Sequence, residues 1–170
     1  PSTRRRQRQM CIRDRVNIPQ PLFPWGDPTF ENWQNNSFLN LVFSGYTETT
    51  WTWNGSSYLR TYYDAYQNQN KNNLHNWLDE NGNTGQISVD TVIALFCEPY
   101  VHPLQLPSVK TVGEGRAIIL HGGKMLDAKW KRGSNLDPFH IIDNNNNILY
   151  IVVVVYNICL LYTSEAADDV

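Results

Sequence analysis

The strongest constraint on the fold is the stretch Gly113–Arg132, which reads GEGRAIILHGGKMLDAKWKR. Its central Gly122-Gly123 pair suits a two-residue hairpin turn. A turn there places three pairs on one face of the hairpin: Ile119 with Leu126, Ala117 with Ala128, and Gly115 with Trp130. This face is apolar throughout, so we expect it to point inward, with the Trp130 ring covering the bare backbone of Gly115.

The opposite face of this hairpin mixes apolar and charged residues. It carries the pairs Leu120 with Met125, Ile118 with Asp127, and Arg116 with Lys129. The last pair brings two like charges together, and these must be solvated or find acidic partners. The GEG sequence (Gly113–Gly115) lacks the Lys-Ser/Thr and the following helix of a phosphate-binding loop, which favours a strand.

A second hairpin is predicted at Thr49–Asp64, which reads TTWTWNGSSYLRTYYD. Asn54-Gly55 is a strong turn signal, and the strands can close across two or four residues. In either case one face carries an aromatic and cationic row, made of Trp51, Trp53, Tyr58, Arg60 and Tyr62. A cross-strand pair of Tyr58 with Trp51 or Trp53 would contribute roughly 0.5–1 kcal/mol. Such a row forms either a sheet core, which is the more common case, or a platform on which sugars or bases stack.

The remaining segments also favour strands. Phe38–Gly45 reads as a strand, Ile87–Tyr100 as a central strand covered on both faces, and Phe139–Val152 as strand–turn–strand. The apolar residues of the polar stretch Tyr66–Gln86 have helical i, i+3, i+4 spacing at Leu74, Trp77 and Leu78. We therefore predict a mainly β fold, an antiparallel sheet or small sandwich or barrel built from hairpins, with one or two short helices. The alternative class is α+β.

The two ends of the chain are related through the DNA that could encode them. Met10–Arg15 (MCIRDR) can be spelled ATGTGTATAAGAGACAG, and the reverse complement in a shifted frame encodes CLLYT, the residues Cys159–Thr163. Extended outward, Arg5–Gln9 predicts SDAAD on the other strand, and the chain has SEAAD at Ser164–Asp168. The ends resemble a transposon-type sequencing adaptor, so we interpret residues 1–15 and 159–170 as translated adaptor and expect them to be disordered or arbitrarily placed. Residues 16–158 are predicted to form a single domain.

The charge of the chain changes once these ends are set aside. Removing six of the 14 basic and four of the 16 acidic residues leaves 8 and 12, a net charge of about −4 instead of −2. Such a balance does not suit a phosphate backbone, which is bound mainly through Lys and Arg, so we predict no nucleic-acid partner. Of the three cysteines, only Cys97 lies outside the predicted adaptor segments. Neither an intrachain disulfide nor a cysteine metal cluster is therefore expected.

Residues with catalytic or metal-binding chemistry form no convincing pattern. DENGN (Asp79–Asn83) begins like a calcium loop, but its glycine is misplaced and Asp90 stands at the twelfth position, so a turn is favoured. Cys97 could be a nucleophile with His102 or His121, although a buried inert thiol is the more common case. The four histidines have no metal-ligand spacing. We predict no catalytic residues, no metal site and no cofactor.

Several short motifs recur in the order found in a known family. They are FPWG (Phe23–Gly26), Tyr58–Arg60, Thr84-Gly85, VGEG (Val112–Gly115), Gly123-Lys124 and Trp130-Lys131. Together they resemble the C-terminal domain of the YerB-like bacterial lipoproteins, a family of unknown function, over most of Phe23–Leu149. The sequence departs from the family pattern at Thr91, at Ala128 and in the long loop 67–83. After Leu149 the expected last strand is replaced, so we expect the domain to be truncated there with an exposed edge.

The resemblance implies an extracytoplasmic module, membrane-anchored in the full-length parent through a lipid attached upstream. It implies no chemistry. We predict a non-catalytic binding or structural module of the cell envelope, with an unknown envelope ligand or protein as partner and no membrane contact except the anchor. The candidate binding residues are Trp53, Tyr58, Arg60, Trp130 and Lys131. The alternative is a cell-wall hydrolase that uses Asp64, His75 or Asp79.

Overall fold

The computed structural model describes residues 21–24, 26, 33–66, 68–143, 146–150 and 158–163, and these ranges contain strands and turns but no helix. The strands are β1 (Gln34–Asn35), β2 (Phe38–Ser44), β3 (Thr47–Trp53), β4 (Tyr58–Asp64), β5 (Asn68–Leu74), β6 (Asn76–Leu78), β7 (Thr84–Gln86), β8 (Ser88–Val89), β9 (Thr91–Phe96), β10 (Pro99–Val101), β11 (Pro107–Val109), β12 (Gly113–His121), β13 (Lys124–Arg132), β14 (His140–Ile142), β15 (Ile148–Leu149) and β16 (Ile158–Thr163).

Two sheets form the body of the described fold. The larger sheet has the order β15-β14-β13-β12-β9-β16, and β1 also pairs with β13. The smaller sheet has the order β2-β3-β4-β5, and β8 also pairs with β4. Two short hairpins, β6–β7 and β10–β11, stand apart from them. Except for β16 beside β9, the pairings are antiparallel, which confirms the predicted mainly β fold built from hairpins.

The Gly122-Gly123 hairpin has the predicted register. Ile119 lies opposite Leu126, and Gly115 lies opposite Trp130. The two turn glycines have φ of 58° and 74°, the positive values that a type I′ turn requires. Near the turn the opposite face is buried as well, because Leu120 and Ile118 pack against the smaller sheet.

Both faces of the larger sheet are packed. One face and the inner face of the smaller sheet share a core made of Leu39, Leu41, Trp51, Tyr58, Val89, Val92, Ala94, Phe96, Ile118, Leu120 and Met125. The other face contacts Phe23 and Phe139 in a second core, which also contains Ile93, Leu95, Cys97, Ala117, Ile119, Leu126, Ala128, Trp130 and Ile141. Every residue of β9 is buried, which confirms a central strand covered on both sides at Thr91–Phe96. The rest of the predicted strand Ile87–Tyr100 is divided, since β8 pairs with β4 of the smaller sheet and β10 belongs to a separate hairpin.

Trp130 covers Gly115 as predicted. The indole Nε1–H donates to the carbonyl oxygen of Phe96 at 2.9 Å inside the second core. A Cβ at Gly115 would collide with that same carbonyl oxygen and would lie 2.6 Å from the Trp130 Nε1. Glycine is therefore required at position 115, because the Trp130 indole from the neighbouring strand β13 occupies the space that a side chain there would need.

The turn of the β12–β13 hairpin docks on the smaller sheet. A Cβ at Gly123 would lie 2.9 Å from the Trp53 Nε1, so the indole is in close contact with the turn backbone. The Tyr58 hydroxyl donates to the carbonyl oxygen of Lys124 at 3.3 Å, and the Asn36 N–H donates to that of Gly123 at 3.0 Å. Burial raises the pKa of Tyr58 to about 12, so the phenol stays protonated as a donor.

The aromatic pair predicted for the Thr49–Asp64 hairpin forms between Trp53 and Tyr58. Their rings lie 4.9 Å apart between centroids, and the strands close across four residues, Asn54–Ser57. Gly55 supplies the positive φ of 102°. The Asn54 side-chain oxygen accepts the Ser56 and Ser57 backbone N–H groups at 2.9 Å, which fixes the turn from within.

The short helix predicted around Leu74, Trp77 and Leu78 is wrong. Trp77 lies in β6 opposite Gly85 of β7, and its ring covers that glycine. The hairpin closes at Asp79, whose carboxylate accepts the backbone N–H groups of Asn81 and Asn83. The hydrogen bonds of the Asp79 turn favour a hairpin over a helix, although the three apolar residues have helical spacing. In the structure these residues lie opposite cross-strand partners or are exposed to solvent.

The turn predicted at Asp79–Asn83 is confirmed, and it has a counterpart at Asp143–Asn147. In each, the Asp N–H donates to the Asn carbonyl oxygen at 3.0 Å, and the Asp carboxylate accepts from the Asn side chain. The positive φ falls on the residue before the Asn, Gly82 in one turn and Asn146 in the other. A three-residue hairpin loop with a left-handed last position explains both.

The segments assigned to adaptor sequence fall mostly outside the described residues, which exclude 1–20 and 164–170. The backbone of Ile158–Thr163 runs parallel to β9, from Ile158 opposite Thr91 to Thr163 opposite Phe96. Strand pairing satisfies the backbone groups along one side of β9, and a β-prone apolar run can supply that pairing whatever its origin. The adaptor origin of the ends stays a prediction.

Replacing either turn glycine by alanine tests the docking of the hairpin. Gly122→Ala should lower the free energy of unfolding by about 1–2 kcal/mol, from the left-handed backbone alone, since a Cβ there meets nothing within 4 Å. Gly123→Ala carries the same strain and also pushes against Trp53, so its loss should be larger by about 1 kcal/mol or more. Urea denaturation of both variants measures the difference, and equal losses would contradict the contact.

Candidate functional site

The inner face of the smaller sheet changes from apolar to polar along its length. Trp53 and Tyr58 mark its apolar end beside the glycine turn. Further along lies a group of five side chains that we call the Arg60 cluster: Thr49, Trp51, Arg60, Tyr62 and His75. Thr49 and Trp51 are buried, and the other three are half-buried. The cluster thus lies at the border between core and solvent.

Strand register brings the cluster together. Trp51 lies opposite Arg60 and Thr49 opposite Tyr62, so these four side chains share one face of the β3–β4 pair. His75 follows β5, and its backbone N–H donates to the carbonyl oxygen of Arg60 at 3.2 Å. That bond places the imidazole next to the Arg60 strand position.

Arg60 also occupies a gap in the strand pairing of β4. β8 pairs with β4 at Tyr58 and Leu59, and β5 pairs with it from Thr61 onward. Between these two strands the β6–β7 hairpin projects from the sheet. The backbone of Arg60 anchors the base of this hairpin. The Arg60 N–H donates to the carbonyl oxygen of Ile87 at 2.9 Å, and the Arg60 carbonyl oxygen accepts the side-chain amide of Gln86 at 2.9 Å.

The Arg60 guanidinium lies over an aromatic ring and has few acceptors. Its Cζ is 5.6 Å from the Trp51 ring centroid, and its Nη2 is 3.4 Å from the Thr49 hydroxyl oxygen. The imidazole of His75 packs against Tyr62 with 4.8 Å between ring centroids. A cation over an indole contributes about 0.5–2 kcal/mol, which offsets part of the desolvation of the guanidinium.

Three polar atoms of the cluster are buried without a hydrogen-bond partner. They are the Nε of Arg60, the Nδ1 of His75 and the Nε1 of Trp51. Each unsatisfied buried polar atom costs about 1–3 kcal/mol. The described part of the chain also offers no carboxylate within ion-pair distance of Arg60. The cluster therefore concentrates unmet hydrogen-bonding capacity around one cation.

Electrostatics keep the histidine of the cluster neutral. Burial lowers the pKa of His75, and the positive charge of Arg60 lowers that pKa further. At neutral pH the imidazole is therefore uncharged, with one ring nitrogen as donor and the other as acceptor. The cluster carries a single positive charge, that of Arg60.

The five predicted binding residues do not form one surface. Tyr58 and Trp130 are buried in different cores, with 0% and 2% of their surface exposed. Trp53 is half-buried against the glycine turn, and the exposed Lys131 lies 3.9 Å from Glu114 on the larger sheet. Aromatic side chains at these positions gain more by packing in the two cores than they would at the surface. A ligand-binding role stays a prediction, and Arg60 is the residue with the strongest support.

Sequence analysis missed the partners of Arg60. Period-two alternation was enough to predict that Thr49 lies on the same strand face as Trp51. Nothing in the sequence indicated that His75 joins them, because its position depends on the polar stretch folding back along β4.

The residues of the alternative, hydrolytic prediction are engaged elsewhere. Both carboxylate oxygens of Asp79 accept hydrogen bonds within its own turn, and the Asn83 side chain is the main cause of its lowered pKa. Asp64 accepts the Tyr66 backbone N–H at 2.9 Å. Burial raises the pKa of the Cys97 thiol to about 11, so it is no ready nucleophile. No group of three or more metal-ligating side chains comes together within the described ranges.

A depression on the larger sheet is lined by charged side chains, and two of them pair with each other. It is lined by Glu114, Gly115, Arg116, Asp127, Ala128 and Lys129. The Arg116 guanidinium takes both oxygens of Asp127, with Nε 3.2 Å from each and Nη2 at 2.8 Å. Asp127, which lies diagonally across from Arg116, thus supplies the acidic partner that the like charges of Arg116 and Lys129 were expected to need. The described residues contain no helix long and apolar enough to cross a membrane.

Comparison with known proteins gives a family and a fold. Residues 39–153 match the sequence profile described as the C-terminal domain of DUF3048, a protein of unknown function. The crystal structure of the YerB protein from Bacillus subtilis is similar, with a TM-score of 0.57 and 9% sequence identity over 95% of this chain and 50% of that one. The chain thus spans half the length of that relative, and at this identity the likeness concerns the fold. No curated protein sequence matches significantly.

Protonation of His75 should weaken the fold as pH falls. Because its pKa is lowered in the folded state, the unfolded chain binds more protons near pH 6, and stability must decrease as pH falls from 7 toward 5. His75→Gln should flatten this decrease, whereas His102→Gln in the β10–β11 loop serves as the matched control. Urea denaturation at pH 7 and pH 5 gives the slope, and an unchanged slope in His75→Gln would overturn the assignment.

A structural role for Trp130 is tested by Trp130→Phe. The change removes the Nε1–H donor but keeps most of the ring, so the buried carbonyl of Phe96 is left unsatisfied. We expect the free energy of unfolding to fall by about 1–3 kcal/mol. Trp77→Phe, on the exposed face of the β6–β7 hairpin, should change it by less than about 1 kcal/mol. A smaller loss for Trp130→Phe than for Trp77→Phe would contradict the role.

Proposed function

The chain belongs to the family of DUF3048 C-terminal domains, and from this starting point we propose that it is a non-catalytic ligand-binding module. The observation that supports binding is Arg60. Its guanidinium borders solvent, its Nε has no hydrogen-bond partner, and no described carboxylate neutralises it. An arginine held in this way on the inner face of a sheet is a natural contact for a ligand that brings its own acceptor.

A cellular location outside the cytoplasm is part of the proposal. The motifs shared with the YerB-like lipoproteins support it, from the VGEG strand to Trp130-Lys131. In the full-length parent this domain would be tethered to the membrane through an upstream lipid anchor. Its ligand would then be a component of the cell envelope, either a cell-wall fragment or a protein segment. The net charge of about −4 without the predicted adaptor segments disfavours nucleic acid.

Catalysis finds less support than binding. A hydrolase needs a base or nucleophile and an acid that converge on one substrate atom. Asp79 uses both its oxygens inside a turn, and His75 faces the Arg60 cation and the Tyr62 ring. We therefore assign the hydrolytic alternative no catalytic residues.

The test is a ligand screen on the full-length parent protein, with cell-wall glycans and cell-wall peptides as candidate ligands. For a ligand found in this way, Arg60→Gln should weaken binding by about 10–100-fold, the effect of losing a hydrogen bond to a charged group. Arg116→Gln is the matched control, since that arginine is already neutralised by Asp127. Equal affinity of Arg60→Gln and the unaltered protein for every ligand found would refute the site. Product release from any candidate would refute the non-catalytic role.

A further inference from the structure

We infer that the Arg60 cluster is a site for a single oxyanion, and that the carboxylate of an organic ligand is the group it takes. The inference rests on the proposed binding function and names the chemistry of its ligand. It is carried by the contrast between two arginines of the same chain, by the unpaired atoms around one of them, and by the surface next to it.

The first argument is the contrast between Arg116 and Arg60. Arg116 presents its Nε and Nη2 edge to Asp127, and both nitrogens bind the carboxylate at 2.8–3.2 Å. The same edge of Arg60 has an unpartnered Nε and an Nη2 with only the 3.4 Å contact to the Thr49 hydroxyl. The planar guanidinium fork matches a carboxylate or phosphate in two parallel hydrogen bonds. Arg60 therefore lacks the partner that Arg116 has.

The second argument is the set of atoms around Arg60. The neutral His75 can donate a proton from one ring nitrogen, and its Nδ1 is unpaired. No acidic side chain of the described residues lies within ion-pair distance of Arg60, so none of them already occupies its guanidinium. One cation with a neutral imidazole beside it balances one negative charge, which favours a carboxylate over a doubly charged phosphate.

The third argument is the surface beside the cluster. The β6–β7 hairpin begins next to His75 and exposes Trp77, which is 46% accessible. This side chain can cover an apolar body attached to the carboxylate, which inorganic anions lack. The ligand class is therefore an organic acid with an apolar portion, as at the carboxyl end of a peptide.

Binding requires a movement of Arg60. Its Nε is covered in the ligand-free fold, so the guanidinium must turn outward to present its fork. The turn gives up the 3.4 Å contact with Thr49 and the packing over Trp51, and it releases an unsatisfied donor. Because the bonds lost are weak and the bonds gained are charge-assisted, the exchange favours the bound state.

The experiment is a titration of the ¹⁵N-labelled chain followed by nuclear magnetic resonance at the Arg Nε–H and Trp Nε1–H signals. The probe is N-acetyl-leucine, and N-acetyl-leucinamide is the neutral match of the same shape. Inorganic phosphate at equal ionic strength is the third arm. We expect the carboxylate to shift the Arg60 Nε–H signal with a dissociation constant on the order of 1–10 mM, as befits a ligand of this size.

The expected pattern has a matched control within the chain. The Arg116 Nε–H signal should not move, and in Arg60→Gln the carboxylate should no longer shift the Trp51 Nε1–H signal. Equal shifts from the amide, or none from the carboxylate, would overturn the carboxylate assignment. Tighter binding of phosphate would replace the carboxylate with phosphate as the ligand group. If the ligand screen still finds an Arg60-dependent ligand while the carboxylate fails, the binding function stands and only its chemistry is wrong.

Discussion

Contact between an aromatic pair and a glycine turn holds the two sheets of this domain together. Trp53 and Tyr58 lie side by side on the smaller sheet, and the turn at Gly122-Gly123 of the larger sheet rests against them. The turn has no side chains, so an indole can approach its backbone directly. The apolar end of the inner face is thereby closed, and the polar end, with Arg60, is left at the border with solvent.

Tryptophan over glycine is a recurrent device in this chain. Trp130 covers Gly115 across β12 and β13, Trp77 covers Gly85 across β6 and β7, and Trp53 covers Gly123 between the sheets. A strand glycine leaves a gap in the side-chain layer, and a neighbouring indole fills it while burying a large apolar area. The device explains why aromatic residues that look like a binding platform in the sequence serve mainly as packing. It also sets apart Arg60, whose polar atoms packing does not satisfy.

Much of this fold could be predicted from local signals. The register of the Gly122-Gly123 hairpin followed from the glycine pair and period-two alternation, and the same reasoning gave β9 as a central strand. The β6–β7 hairpin could not be found in this way, because three apolar residues at helical spacing outweighed the Asp79 turn. The parallel pairing of β16 is a long-range choice that no local pattern specifies. For the site, alternation placed Trp51 and Arg60 on one face, but the approach of His75 depends on how a polar loop returns to the sheet.

The proposed site lies at the edge of a core instead of on an exposed aromatic surface, and it depends on the two sheets forming one cooperative unit. Native-state hydrogen exchange of the chain in increasing urea tests this most directly. Amides of β3 and β4 and amides of β12 and β13 should converge on one opening free energy with one denaturant dependence. If the smaller sheet opened at distinctly lower free energy while the larger sheet stayed protected, the aromatic–glycine contact would not join them, and the central claim would be contradicted.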